Sequence, residues 1–234
     1  MIDLYGGPTP NARKIAIALG EMALDWRLVP IDILAGDQLT PAFLALNPNN
    51  KTPVIVDADG PGGRRLVLWE TGAILLYLAE KTGRFLPADP VDRAICWQWL
   101  MFQMSGIGPM FGQDAHFSHY AKDRHPYAIA RYAREVERLL GVLDRRLADA
   151  EWVGGAEYTI ADMAMLPYCR RRLSEDAGRY PHAARWAAAM LARPAVAAGM
   201  AVGIARPETI EGGLAGFGDE HRSILWGDRQ HAAR

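Results

Sequence analysis

The sequence predicts an α/β domain followed by an all-helical one. Strand and helix signals alternate through about residue 86, and only helical periodicity follows, to about residue 200. A shift of that kind marks a domain boundary. Between the two parts, GRFLPADPVDR (83–93), with Pro87 and Pro90, reads as a linker. The chain has 234 residues, half of them apolar, which is enough for one large core or two small ones.

In the first part, Ile2 to Tyr5 reads as a strand, Pro10 to Leu19 as a helix and Trp26 to Ile31 as a second strand. TPAFLAL (40–46) offers Thr40 as N-cap and Pro41 at the first helical position, hence a short helix. TPVIVDADGPGGRRLVLW (52–69) has two apolar runs joined by a glycine-rich turn, a pair of strands. ETGAILLYLAEKTG (70–83) is a helix closed by Gly83, with Lys81 in its last turn. The order βαβα-ββα is the thioredoxin arrangement.

The second part opens on a Trp-rich helix, Val91 to Met104, which the glycines of GIGPMFG are expected to end. Trp97, Trp99 and Phe102 are expected in the core. Tyr127 to Ala150 places Val136, Leu139, Leu140, Leu143 and Leu147 on one face of a long helix. Thr159 opens another helix with the form of a capping box, Asp162 standing at its third position. Pro181 to Leu191 is a further helix. From Pro207 the chain is glycine-rich and aperiodic: a tail either draped over the body or partly disordered, with Leu225 and Trp226 as anchors.

The formal net charge of −1 and the pI near 6.6 point away from nucleic acid and membrane surfaces as partners. No apolar run reaches the ~18 residues of a spanning helix, and MIDLYGG lacks the pattern of a secretory signal. Cys96 and Cys169 form no CxxC, which fits a reducing cytoplasm. No metal is expected: the histidines of HFSHY (116–120) lack a metal-ligand spacing.

Three stretches invite a functional reading. In YGGPTPNARKI (5–15), Thr9-Pro10 can simply start a helix. The same turn also sets a hydroxyl, the Asn11 amide and free N–H groups at a positive helix end, which favours an anion such as a thiolate. Thr52-Pro53 is either a plain strand start or a cis-proline that opens the preceding backbone to a peptide-like ligand. Glu70-Thr71 at a helix start is either dipole compensation or a seat for the α-amino acid end of a small ligand.

TPNARKIAIALGE, NPNNKTPVIVD, WETGAILLYLAEKTGRFLP and YTIADMAMLPY resemble the cytosolic glutathione transferases. PTPN, GDQ, NPNNK.P and GIGPMFGQDAHF are similar to the bacterial nu class, and the resemblance covers residues 1 to 202. It implies a thioredoxin-like glutathione-binding domain (1–86), an all-helical domain (91–205), a tail (206–234), and a homodimer with sites beside the interface. It also implies an enzyme that uses glutathione to reduce a small disulfide, with weak transferase or peroxidase activity on electrophiles. Thr9 and Asn11 would face the sulfur, Gln38 and the Thr52 backbone the rest of the tripeptide, and Glu70 and Thr71 its γ-glutamyl end. Arg131 would reach a glutathione site, and Lys51 the glycyl carboxylate. Pro53, Thr159 and Asp162 would be structural. Thr52 departs from the commoner aliphatic residue, with little consequence if its backbone does the binding. No cysteine is needed at the Thr9 turn, because the substrate brings the thiol. The rival expectation is a non-catalytic binding or regulatory protein of the same fold.

Overall fold

The computed structural model describes residues 1–203 and 217–232. β1 (Ile2–Gly6) leads into α1 (Pro10–Glu21), whose N-cap Thr9 accepts a hydrogen bond from Ala12 N at 3.2 Å, with Pro10 in the first turn. β2 (Trp26–Pro30), the one-turn α2 (Pro41–Leu44), β3 (Val54–Asp57), β4 (Leu66–Trp69) and α3 (Thr71–Thr82) follow. The strands form one sheet in the order β2-β1-β3-β4. β1 runs parallel to β2 and antiparallel to β3, and β3 antiparallel to β4. Val54, Ile55 and Val56 are all buried, as the apolar run in β3 requires. α3 ends on Gly83, whose left-handed φ of 63° a residue with a Cβ tolerates poorly.

The second part departs from expectation at its first helix. α4 (Pro90–Phe102) starts on Asp89, which accepts from Val91 N at 2.9 Å and Asp92 N at 3.1 Å. It does not end at the glycines. A π turn over Gln103–Ile107 carries it into α5 (Gly108–Ala115), and a second over His116–Tyr120 prolongs that helix to Ala121. Pro109 cannot donate to the turn before it, and the wider turn absorbs the missing bond. A Cβ at Gly108 would lie 3.2 Å from Gln103 Nε2 and 3.3 Å from its carbonyl oxygen, so that glycine serves a close approach and not a stop.

α4 also corrects the expected core. Cys96 and Leu100 are buried and Trp99 and Phe102 pack half-buried against the core, but Trp97 is 43% exposed, and Met101 and Val91 are exposed as well. With apolar residues spread around most of α4, the sequence does not reveal which face turns inward.

α6 (Pro126–Asp149) buries the expected stripe from Val136 to Leu147. α7 (Ile160–Glu175) runs through the middle of the helical part and carries the capping box, with Asp162 accepting from Thr159 N at 2.9 Å. The same buried carboxylate accepts from Val153 N at 2.7 Å and Trp186 Nε1 at 2.8 Å. α8 (Pro181–Leu191) and α9 (Pro194–Met200) complete the layer. α1 lies against α7 and α9, so sheet and helices share one continuous core. At that contact a Cβ on Gly199 would fall 2.7 Å from Ile17 N. Nearby, Arg193 clamps Glu21 through two bonds of 2.7 Å.

The tail is ordered where it is described. α10 (Asp219–Trp226) and α11 (Asp228–Ala232) replace the aperiodic segment expected there. Asp219 and Glu220 compensate the first turn of α10, and Gly218 N donates to His221 Nδ1 at 3.1 Å. Ile224 is its buried anchor, while Trp226 stays 40% exposed. The expectation for 204–216 and 233–234 lies outside the described residues.

Candidate functional site

The N-terminus of α1 opens into a cavity of about 270 Å³. Thr9 and Asn11 form its floor, Ile33, Leu34 and Gln38 one side, and Asn50, Lys51 and Thr52 another. Tyr120, from the second π turn, and Phe217, Leu225 and Trp226, from the tail, form an apolar wall. Tyr120 lies 5.5 Å from both the Phe217 and the Trp226 rings, and Arg222 Nε donates to its carbonyl at 2.8 Å.

Each polar side chain is placed by local structure. Thr9 accepts at the helix cap, which leaves its hydroxyl proton to donate elsewhere. Asn11 Oδ1 accepts from the Tyr168 hydroxyl at 3.2 Å, and its Nδ2 donates to none of the described residues. Gln38 is buried; its Nε2 donates to Ile33 O at 3.1 Å, whereas Oε1 is buried without a partner. Asn47 holds the 47–51 loop by donating to Lys51 O at 2.7 Å, and Asn50 takes a left-handed φ of 48°. The Thr52–Pro53 bond is cis. Partial desolvation pulls the Lys51 ammonium below its usual value, and in the amide orientation that satisfies both ends Lys51 Nζ donates to Gln230 Oε1 at 2.5 Å.

Glu70 and Thr71 stand just outside this lining. The register Val54↔Trp69 brings Glu70 beside Pro53. Glu70 occupies the N-cap position of α3 with φ 69° and ψ 113°, a backbone conformation costly for a side-chain-bearing residue and common at binding sites. Its carboxylate makes no hydrogen bond with the described residues. The Thr71 hydroxyl is turned inward: it accepts from Lys14 Nζ at 3.3 Å and donates to Met104 Sδ at 3.4 Å. Arg131 is not among the cavity's residues; it lies exposed on α6, 3.6 Å from Glu135.

Behind the floor is a buried charge that sequence reasoning missed. Lys14 is 2% exposed, donates to Gln103 Oε1 at 2.8 Å, and sits 4.9 Å from the Tyr168 ring centroid. Burial pulls its ammonium down to about 7, against the pull of Glu70 and Cys169. Lys14 and Tyr168 stand in apolar runs of two distant helices, and no local pattern links them. Cys96 and Cys169 are both free and buried, away from the cavity, and burial raises both thiols. Among the described residues no group of three His, Cys, Asp or Glu is placed to hold a metal, and no helix is long and apolar enough to cross a membrane.

Residues 9–81 match the family model described as glutathione S-transferase, N-terminal domain, and residues 107–194 the corresponding C-terminal domain. The disulfide-bond oxidoreductase YfcG of Escherichia coli K12 is 48% identical over 200 residues, covering 83% of this chain and 92% of that protein. The disulfide-bond oxidoreductase YghU of the same organism is 41% identical over 218 residues, 86% of this chain and 74% of its own. A glutathione transferase family member from Pseudomonas fluorescens, solved with two glutathiones bound, superposes with TM-score 0.82 at 44% identity, covering 86% of this chain and 92% of its own. One from Pseudomonas putida, with one glutathione disulfide per subunit, superposes with TM-score 0.80 at 44% identity, covering 86% and 90%.

Proposed function

This chain belongs to the glutathione S-transferase family, and we propose that it uses glutathione to reduce a small disulfide. The observation that carries this reading is the Thr9 hydroxyl and the unpaired Asn11 Nδ2 at the head of α1, facing a cavity that contains no protein thiol. A helix N-terminus with two donors suits a thiolate brought by the substrate. A free thiol of pKa ~8.5 is mostly protonated at neutral pH; lowering it by ~2 units takes ~2.7 kcal/mol. One hydrogen bond to a charged group, ~1.5–3 kcal/mol, together with the helix terminus supplies about that.

The glutathione thiolate attacks one sulfur of the disulfide RS–SR′. A glutathione–SR mixed disulfide forms, and R′S⁻ leaves and takes up a proton. A second glutathione thiolate attacks the glutathione sulfur of that mixed disulfide. Glutathione disulfide forms, RS⁻ leaves and is protonated, and no bond to the protein is made. A related structure solved with two glutathiones and another with glutathione disulfide are consistent with both steps in one site. The apolar wall of Tyr120, Phe217, Leu225 and Trp226 would also admit an electrophile, for weak transfer or peroxidase activity.

In the same reading, residues 1–86 bind the tripeptide. Gln38 contacts it, the Thr52 backbone pairs with it, and Lys51 meets the glycyl carboxylate. Glu70 holds the γ-glutamyl ammonium, and the Thr71 backbone N–H the adjoining carboxylate, since the Thr71 hydroxyl is engaged by Lys14 and Met104. The exposed Val91, Trp97 and Met101 on α4 support a homodimer seam, across which Arg131 would approach a site. The reading extends to the nu class and to a cytoplasmic protein, in keeping with two free cysteines.

Assays of hydroxyethyl disulfide reduction with glutathione, beside glutathione calorimetry, test the proposal. Asn11→Ala is expected to lose roughly ten- to a hundredfold in kcat/KM, with glutathione affinity little changed. Glu70→Ala should weaken binding first. Glutathione binding without any turnover would return the chain to a non-catalytic role.

A further inference from the structure

We propose that Tyr168 is a positioning residue for this reaction: its hydroxyl donates to Asn11 Oδ1 and so presents Nδ2 to the glutathione sulfur. The inference rests on the thiolate reading above and deepens it. An asparagine amide has a donor end and an acceptor end of nearly equal shape. With its carbonyl toward the cavity, Asn11 would repel a thiolate; with its amino group there, it stabilises one. Something must hold the rotamer, and a place in the first turn of α1 alone does not.

Tyr168 does so from α7, 157 positions away in sequence, at 3.2 Å. A phenol can donate or accept, so the direction of this bond needs its own cause. Lys14 supplies it where it is protonated, up to about pH 7: its ammonium lies 4.9 Å from the Tyr168 ring centroid. A cation near the ring draws density from the phenol, which strengthens the O–H as a donor and weakens the oxygen as an acceptor. Lys14 is held there by Gln103 Oε1 and the Thr71 hydroxyl, and Gln103 is aimed inward by the π turn of 103–107. π turns commonly mark functional positions, and this one seats a buried cation. The other titratable groups facing this cluster are Glu70 at the head of α3 and Cys169 beside Tyr168, both of which interact with Lys14. Tyr168 thereby connects a buried charge to a side chain on the cavity floor without touching substrate.

The test is Tyr168→Phe, which keeps the ring and its contact with Lys14 and removes only the hydroxyl. kcat/KM for disulfide reduction should fall roughly three- to tenfold, and the pH midpoint of its rising limb should move up. The glutathione KM should stay within about twofold, because the ends of the tripeptide are held elsewhere. In an Asn11→Ala background the same change should have no further effect. Tyr168 replaced by 3-fluorotyrosine, a stronger donor of nearly equal size, should move the midpoint down; that result carries the test even if the Phe variant folds poorly. A wild-type profile for both Tyr168 variants beside an impaired Asn11→Ala overturns the role of Tyr168 alone. Fully additive losses do the same. If Asn11→Ala is itself silent, the thiolate reading falls and takes this proposal with it.

Discussion

Lys14 Nζ lies 2.8 Å from Gln103 Oε1 and ties the middle of α1 to the π turn between α4 and α5. Both side chains are almost wholly buried, so the ammonium gives up its hydration for an amide oxygen, a hydroxyl and an aromatic ring. That exchange has a pH signature. The Lys14 ammonium titrates at about 7 in the folded chain and near 10.4 when unfolded. Between those values the unfolded chain binds more protons, so this group makes stability rise with pH.

The Lys14→Met variant lacks that slope. Wild type should gain stability relative to it from pH 7 to 9, on the order of 1 kcal/mol per unit, and hold a constant difference below pH 6. Denaturant unfolding of both chains at matched pH reads this directly. A difference that stays flat across the range contradicts a buried, titrating Lys14.

Asp162 should matter far more than an ordinary helix cap. Its carboxylate accepts from Val153 N, Thr159 N and Trp186 Nε1, all in the core. Asp162→Ala strands these donors, at ~1–3 kcal/mol each, so a loss of about 3 kcal/mol or more is expected. The measurement is the melting temperature; a wild-type value would remove Asp162 from the folding role.

Two glycines should respond in opposite ways. Gly199→Ala drives a Cβ to within 2.8 Å of the Ile17 backbone and should cost ~1–3 kcal/mol by forcing α9 off α1. Gly112→Ala on α5 meets nothing within 4 Å and should gain up to ~1 kcal/mol from helix propensity. Unfolding curves of the pair check both, and equal effects would refute the packing argument.

Neither protein thiol should enter turnover. Cys96 and Cys169 are buried and their thiols are raised by burial, so neither offers a thiolate at neutral pH. The Cys96→Ala, Cys169→Ala double variant should reduce hydroxyethyl disulfide at the wild-type rate once folded. A folded double variant without activity would show that a protein sulfur carries the reaction.

Local chemistry was readable where one turn of chain decides the outcome. The Thr9 and Thr159 caps, the Gly83 stop and the α6 stripe all follow from residues within a few positions of one another. Thr9, Asn11, Gln38, Lys51 and Thr52, far apart in sequence, were named together only through the family resemblance, and they line one cavity. Tyr168 and Gln103 were hidden because their meaning arises only when α7 and a π turn converge on α1. The glycines of GIGPMFG misled because a stop signal and a close approach use the same residue. The tail was misread for a related reason: α10 is only 8 residues long, and its anchor Ile224 gains meaning only against the body.

The tail wall gives the site a history as well as a shape. Phe217, Leu225 and Trp226 leave the ribosome long after Thr9 and Asn11. The strand pairings and the contacts of α1 with α7 and α9 are all made by residues up to Met200, so a chain extended through α9 holds both sides of each. Its pocket would still be open along the side where Tyr120 waits for its aromatic neighbours. On the glutathione reading, the residues for the tripeptide leave the ribosome before those that would enclose a second reactant. A fusion partner or affinity tag attached behind α11 would perturb the later of the two and spare the earlier.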